Sequence, residues 1–195
     1  MLTHKMQAFD TYLHQFPNYS MAAFEAVRPY LKVREIKAGE YFLQQGQISK
    51  NIAFIEQGLL RLYYLKDGKE ITHCFCKEQS LSTSYSSLIT QTKSKISIQA
   101  IEASSLIVLS YEVLQKLYKT HLFWQEVGRM AGEKEYVINE HHKHFLLDLS
   151  ATERYLQFLE QDKELFQRIP LRYLASYLQI APETLSRIRK KISRI

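Results

Sequence analysis

Little in this chain offers covalent or redox chemistry. Its 195 residues include two cysteines, Cys74 and Cys76, too few for a four-cysteine iron–sulfur site. They sit two apart in an expected strand, on one face but too near in sequence to bridge, so both are expected as free thiols. No run of about 18 apolar residues occurs, so no membrane-spanning helix is expected. The start, MLTHKMQAFD, lacks the apolar stretch of a signal peptide. Cytoplasmic placement is the expectation. P-loop, Gly-rich dinucleotide loop and Ser–His–Asp spacing are all missing, and no cofactor or catalytic role is expected. Internal repeats and low-complexity tracts are absent too.

Acid is missing from one end. The net charge is +6, from 26 Lys+Arg against 20 Asp+Glu. Residues 168–195 hold Arg168, Arg172, Arg187, Arg189, Lys190, Lys191 and Arg194, with Glu183 the one acid. Seven bases against one acid make +6, so residues 1–167 are formally neutral. A solvated basic helix would not need to confine the whole excess to one end. A concentrated cationic field is what phosphate binding requires, and double-stranded DNA is the expected partner.

The pattern in that end is two short helices with a tight turn. Pro170 and Pro182 each suit a first helical turn. Leu174, Tyr177 and Leu178 repeat at helical spacing, with Ala175 small enough for close approach. After Pro182, Leu185, Ile188 and Ile192 share one face, and Glu183, Arg187, Lys190 and Arg194 the opposite one. The run Pro182-Glu183-Thr184-Leu185-Ser186-Arg187 resembles the Arg-Glu-Thr-Val-Gly-Arg recognition helix of the Crp/Fnr family of bacterial transcription regulators. The resemblance implies that Glu183 and Arg187 read base edges, with Thr184, Ser186, Lys190, Lys191 and Arg194 completing a DNA-binding face. Three departures stand out. Pro182 replaces the family's first Arg, Gln179 its turn glycine, and Ala181 its capping Ser. The β-hairpin wing that usually follows is expected to be missing, since the sequence stops at Ile195. The family's oxygen-sensing branch is disfavoured by the cysteine count.

Residues 31–110 change to short β-type runs punctuated by glycine, with at least six expected strands. Asp67-Gly68 is a strong hairpin signal. Such spacing favours a small sandwich or barrel. A metal-binding cupin is the enzymatic alternative, but between Lys32 and Thr120 His73 is the sole histidine. The segments IKAGEYFLQQGQ and IAFIEQGLLRLYYLKDGKE resemble the opening of a cyclic-nucleotide-binding β-roll.

Two short helices, 3–14 and 20–31, precede this roll as packing. Residues 111–149 read as helical with a break near Thr120-His121. Trp124, Val127, Ala131, Lys134, Ile138, His141 and Phe145 alternate at spacings of three and four, a coiled-coil-like seam. The resemblance implies that this helix makes a homodimer; packing within one chain is the other reading. Glu140, His141, His142 and His144 invite a metal, but adjacent helical residues diverge by about 100° and cannot converge. No metal is expected. Ser150 and Glu153 form a capping box that opens a new helix and makes a hinge.

The whole is thus expected to be α+β. Residues 1–120 form a jelly-roll-like sensor, 121–149 a dimerisation helix, and 150–195 an all-α, three-helix helix-turn-helix domain. In the family a Gly-Glu pair holds the ribose of cyclic AMP and an Arg its phosphate. Those positions fall on Thr83-Ser84 and Ser94 here. A decayed site is one reading. The other is an effector other than cyclic AMP, contacted by Ser84, Tyr85 and Ser94. A ligand-binding or interaction protein that keeps the architecture without operator recognition is the rival to a regulator.

Overall fold

The computed structural model describes residues 6–192. Arg194 and the first residues of the expected helix 3–14 lie outside them. The chain divides into two compact units, Met1–Leu62 with Phe75–Glu133, and Tyr63–Cys74 with Lys134–Ile195. The fold is α+β, with an antiparallel roll of eight strands followed by helices.

In the first unit, α1 (Gln7–Leu13) and α2 (Met21–Val27) precede the roll. Ser20 caps α2 by accepting from the Ala23 N–H. The strands are β1 (Lys32–Ile36), β2 (Tyr41–Leu43), β3 (Asn51–Gln57), β4 (Leu60–Lys66), β5 (Lys69–Cys76), β6 (Leu81–Ser82), β7 (Ser97–Ala100) and β8 (Ser104–Ser110). They form two four-stranded sheets, ordered β1-β8-β3-β6 and β2-β7-β4-β5. The two-residue β6 was not legible in the pattern, because so short a pair has no period to read.

Alternation along β3 and β8 explains the packing. Phe54 pairs with Ile107, and both face a core built with Phe9, Leu13, Phe24, Val27, Leu117 and Trp124. Their neighbours Ile55 and Leu106, also paired, are fully buried on the opposite face of the sheet. The Asp67-Gly68 turn closes β4 onto β5 with φ of 51° and 73°, the two left-handed residues that a tight hairpin turn demands.

Helix α3 (Tyr85–Thr90) lies between β6 and β7. After β8 come α4 (Tyr111–Thr120) and the 27-residue α5 (Leu122–Asp148). The break falls at His121, as the sequence suggests.

The second unit holds the hairpin tip, the later half of α5 and the C-terminal helices. These are α6 (Ala151–Gln161), α7 (Lys163–Arg168), α8 (Leu171–Tyr177) and α9 (Pro182–Ile192). The expected capping box is present: the Ser150 N–H donates to Glu153 Oε2 at 2.8 Å, and the Glu153 N–H to Ser150 Oγ at 3.4 Å. These bonds hold the Glu153 carboxyl below its ordinary pKa. The single helix expected from 150 to about 167 is broken in two. Asp162 turns its carboxylate onto the Leu165 N–H at 2.9 Å and starts α7 afresh, so the described residues of this part form four helices where three were expected.

Candidate functional site

Leu174 and Ala175 on α8, Leu178 in the turn, and Leu185 and Ile188 on α9 are buried. That leaves the opposite face of α9 outward: Glu183, Ser186, Arg187, Lys190 and Lys191 are exposed and Thr184 partly so. Arg187 Nη2 donates to Thr184 Oγ1 at 3.2 Å, which steadies the guanidinium one turn along from Glu183. Arg189 is not part of this ridge; its guanidinium lies over the Phe166 ring at 5.7 Å.

The turn answers the question raised by Gln179. The Ile180 N–H bonds the Ala175 carbonyl at 3.0 Å and the Gln179 N–H the Ser176 carbonyl at 3.1 Å. This is the 6→1 and 5→2 pair of a Schellman motif, with Gln179 left-handed at φ 52°. The turn keeps its shape and the backbone carries the strain. Gln179 is exposed, so Gln179→Gly changes little else. Relief of that strain, offset by the freer unfolded glycine, is expected to raise stability by up to about 1 kcal/mol. A thermal melt that is unmoved or lowered would show that the left-handed residue is not strained.

The positions expected to meet an effector are brought together, but against each other. Ser84 and Ser94 are 5% and 3% exposed. Their Oγ atoms lie 2.9 Å apart, and Ser94 Oγ also accepts from the Ile96 N–H at 3.1 Å. Around them, Thr83 Oγ1 lies 3.0 Å from Ser49 Oγ and donates to the Asn51 carbonyl at 3.0 Å. The Ser49 N–H donates to Ser87 Oγ at 2.9 Å. Lys93 and Lys95 are exposed while Ser94 between them is buried, as strand-like alternation requires. Tyr85 stands apart from this network. It is half-exposed, and a Cβ added at Gly132 on α5 would come within 2.7 Å of its hydroxyl, so the absence of a side chain there makes room for the phenol.

Comparison with known proteins agrees with this geometry. Residues 33–121 match the family model of the cyclic nucleotide-binding domain. FixK2 from Bradyrhizobium japonicum is similar over 84% of this chain and 85% of its own, at 17% identity and a TM-score of 0.75. The c-di-GMP-responsive global regulator CLP of Xanthomonas campestris is similar over 90% of this chain and 92% of its own, at 16% identity and a TM-score of 0.72. A protein from Eubacterium rectale assigned to the Crp/Fnr family of transcriptional regulators is similar over 91% and 87%, at 18% identity and a TM-score of 0.71. The chain has the Crp/Fnr fold. The last two relatives are described as regulators and neither as an enzyme. No curated protein matches the sequence at a significant level.

Within this Crp/Fnr fold, the seam residues along α5 fall in different surroundings. Trp124 is 2% exposed and its Nε1 donates to the Ala23 carbonyl at 3.1 Å. Val127 belongs to the same core, and Phe145 is buried among rings in the second unit. Ala131 is half-buried, whereas Lys134, Ile138 and His141 are exposed. A spacing of three and four reports an apolar face, not which chain covers it. Here both ends of that face are covered by the protein's own core. The exposed apolar residues of α5 are Leu122, Tyr136, Val137, Ile138 and Leu147.

The histidines also part company. His144 bonds Asp148 at 2.9 Å on the helix surface. His142 turns inward, between His73 (ring centroids 5.3 Å, perpendicular), Phe145 (5.9 Å, stacked) and Tyr177 (5.1 Å). Burial, and then the neighbouring His73, push His142 down to about 4, so it is neutral near pH 7. Burial pushes the Tyr177 phenol up to about 12. Among the described residues no three His, Cys, Asp or Glu side chains are grouped to hold a metal, and no helix is long and apolar enough to cross a membrane.

Sequence reading missed this ring cluster, since nothing in periodicity joins His73 to residues some seventy and a hundred positions on. It also missed Arg154, whose guanidinium donates to the Leu146 and Leu149 carbonyls at 3.2 and 2.9 Å. A cation there satisfies the orphan carbonyls at the end of α5.

Proposed function

We propose that the protein is a homodimeric, DNA-binding transcription regulator of Crp/Fnr type whose effector is not cyclic AMP. The observation that carries this reading is α9. Its apolar side is buried on α8, and its exposed side presents Glu183, Arg187, Lys190 and Lys191 at the end of the chain that holds the whole net charge. On this reading residues 150–195 are the DNA reader, 121–149 the dimer helix and 1–120 the sensor. Selection of bound fragments from a random duplex pool tests it: a palindromic consensus is the expected result, and bulk binding without sequence preference is the contrary one.

For the dimer, the stripe Val137, Glu140, His144 and Leu147, exposed except for the half-buried Glu140, replaces the straight seam as the proposed contact. These residues recur at three and four along one side of α5. Val137 is 48% and Leu147 72% exposed, more than a soluble helix needs to show.

For the effector, the hydroxyls of Ser84 and Ser94 are already bonded and buried, and neither position carries a charge. A cyclic phosphate needs a fixed cation to replace its water. Losing that partner and the ribose carboxylate costs several kcal/mol, at about 1.5–3 for each charged hydrogen bond. A micromolar affinity would then fall to about millimolar. Calorimetric titration with cyclic AMP and cyclic GMP is expected to give no binding below about 0.1 mM; low-micromolar binding of either refutes this.

A further inference from the structure

The tip of the β4–β5 hairpin meets the reader at one unusual point. β5 is the edge strand of its sheet, in the order β2-β7-β4-β5. An edge strand leaves every second N–H and C=O without a ladder partner, and these point the same way two residues apart. On β5 that pair is the Thr72 N–H and the Glu70 C=O. Ser176, on α8, fills both: its Oγ accepts from the Thr72 N–H at 2.9 Å and donates to the Glu70 carbonyl at 2.7 Å. One hydroxyl therefore takes the place of an added strand. Thr72 is 1% exposed, so water has little access to replace the bond. The adjacent residues repeat the contact with rings. His73 on the hairpin touches His142, and His142 touches Tyr177, the neighbour of Ser176. Tyr177 also packs on Phe145 and Phe158, at 5.7 and 5.3 Å.

All these groups belong to the second compact unit. The hairpin tip therefore holds α8 and leaves the exposed face of α9 open. We propose that the hairpin tip is a clamp that sets the orientation of the helix-turn-helix on α5, with Ser176 as its positioning residue. It does not cover the DNA-binding face; it pre-orients it. Released from the clamp, the reader is tied to α5 through the Leu149-Ser150 link, Arg154 and the remaining packing, and must be ordered again when it binds. The positioning role rests on the DNA-binding reading above; the contact itself does not.

The test uses the full chain with Ser176→Ala, Ser176→Thr and Thr72→Pro. The proline removes the N–H that Ser176 accepts, together with the buried Thr72 side chain, at an edge position where a sheet tolerates proline. Amide hydrogen exchange reads the contact, and fluorescence anisotropy on the selected duplex reads its consequence. Ser176→Ala is expected to speed exchange of the Thr72 amide at least about tenfold, the loss of one buried bond, with α6 and α9 unchanged and Ser176→Thr restoring protection. Ser176→Ala and Thr72→Pro are each expected to weaken duplex binding about 5- to 20-fold without altering base preference, and the double variant no further, because both break one link. Unchanged Thr72 exchange in Ser176→Ala overturns the contact. Faster exchange with unaltered DNA affinity, or additive losses, overturns the positioning role. A wild type that binds no duplex counts against the DNA-binding reading and removes the positioning role, while the exchange experiment still decides the contact.

Discussion

Val137→Glu is expected to yield monomers and to weaken binding to a palindromic duplex by at least about 100-fold, the scale of bivalent gain that is lost. In a two-fold contact each substitution meets its own copy, so one change places two like charges in one seam. An uncompensated charge buried in such a contact costs about 3–5 kcal/mol. Two readers set about 34 Å apart, one DNA turn, would otherwise bind as a unit. Ile138→Glu is the discriminating control. Ile138 is exposed to almost the same degree, 47% against 48% for Val137. It lies about 100° round the helix from Val137, further from the proposed stripe. It should leave the dimer largely intact. Monomers from Ile138→Glu and not from Val137→Glu would restore the straight seam. Sedimentation showing a monomeric wild type at micromolar concentration would refute the dimer altogether.

Arg187→Ala should cost about 1–3 kcal/mol on the cognate duplex, roughly 5- to 150-fold, and relax preference at one base pair. Arg187 is exposed at the middle of α9, and its planar fork matches the O6 and N7 acceptors of guanine. Glu183, one turn before it, suits the amino group of cytosine. Lys190→Ala should behave differently. A phosphate contact carries no sequence information, so all duplexes weaken alike and the salt slope falls by about one. The measurement is anisotropy on cognate and scrambled duplexes across a salt series. Equal losses on both for Arg187→Ala would remove it from base reading.

Much of this was legible because it is local. The capping box at Ser150 and the Asp67-Gly68 turn depend on residues within a few positions of each other, and both formed as spacing implied. The burial of Leu185 and Ile188 followed from helical period alone. Gln179 took the left-handed conformation that its place in the turn demands, even without glycine. The resemblance carried the fold, because the recognition-helix motif and the β-roll opening are both short, ordered signals. Local rules also failed locally. Asp162 looked like one more polar residue on a long helix, yet its carboxylate outcompetes the helix for the Leu165 N–H.

What spacing could not decide is which surface covers an apolar face. Trp124, Val127 and Phe145 have the periodicity of a dimer seam, but they are buried within the chain itself. The serines around α3 illustrate the same limit for polar groups. A hydroxyl-rich stretch reads equally as an open site or a closed network, and only three-dimensional placement pairs Ser84 with Ser94. The bond from Thr72 to Ser176 spans 104 positions. No local pattern encodes it, because it arises from a sheet edge left open by strand order and a hydroxyl delivered by a helix far along the chain. Periodicity and composition thus specified the elements, their faces and the charge of the C-terminal helices. Tertiary packing chose the partner of each face, since burial depends on what else the chain brings there.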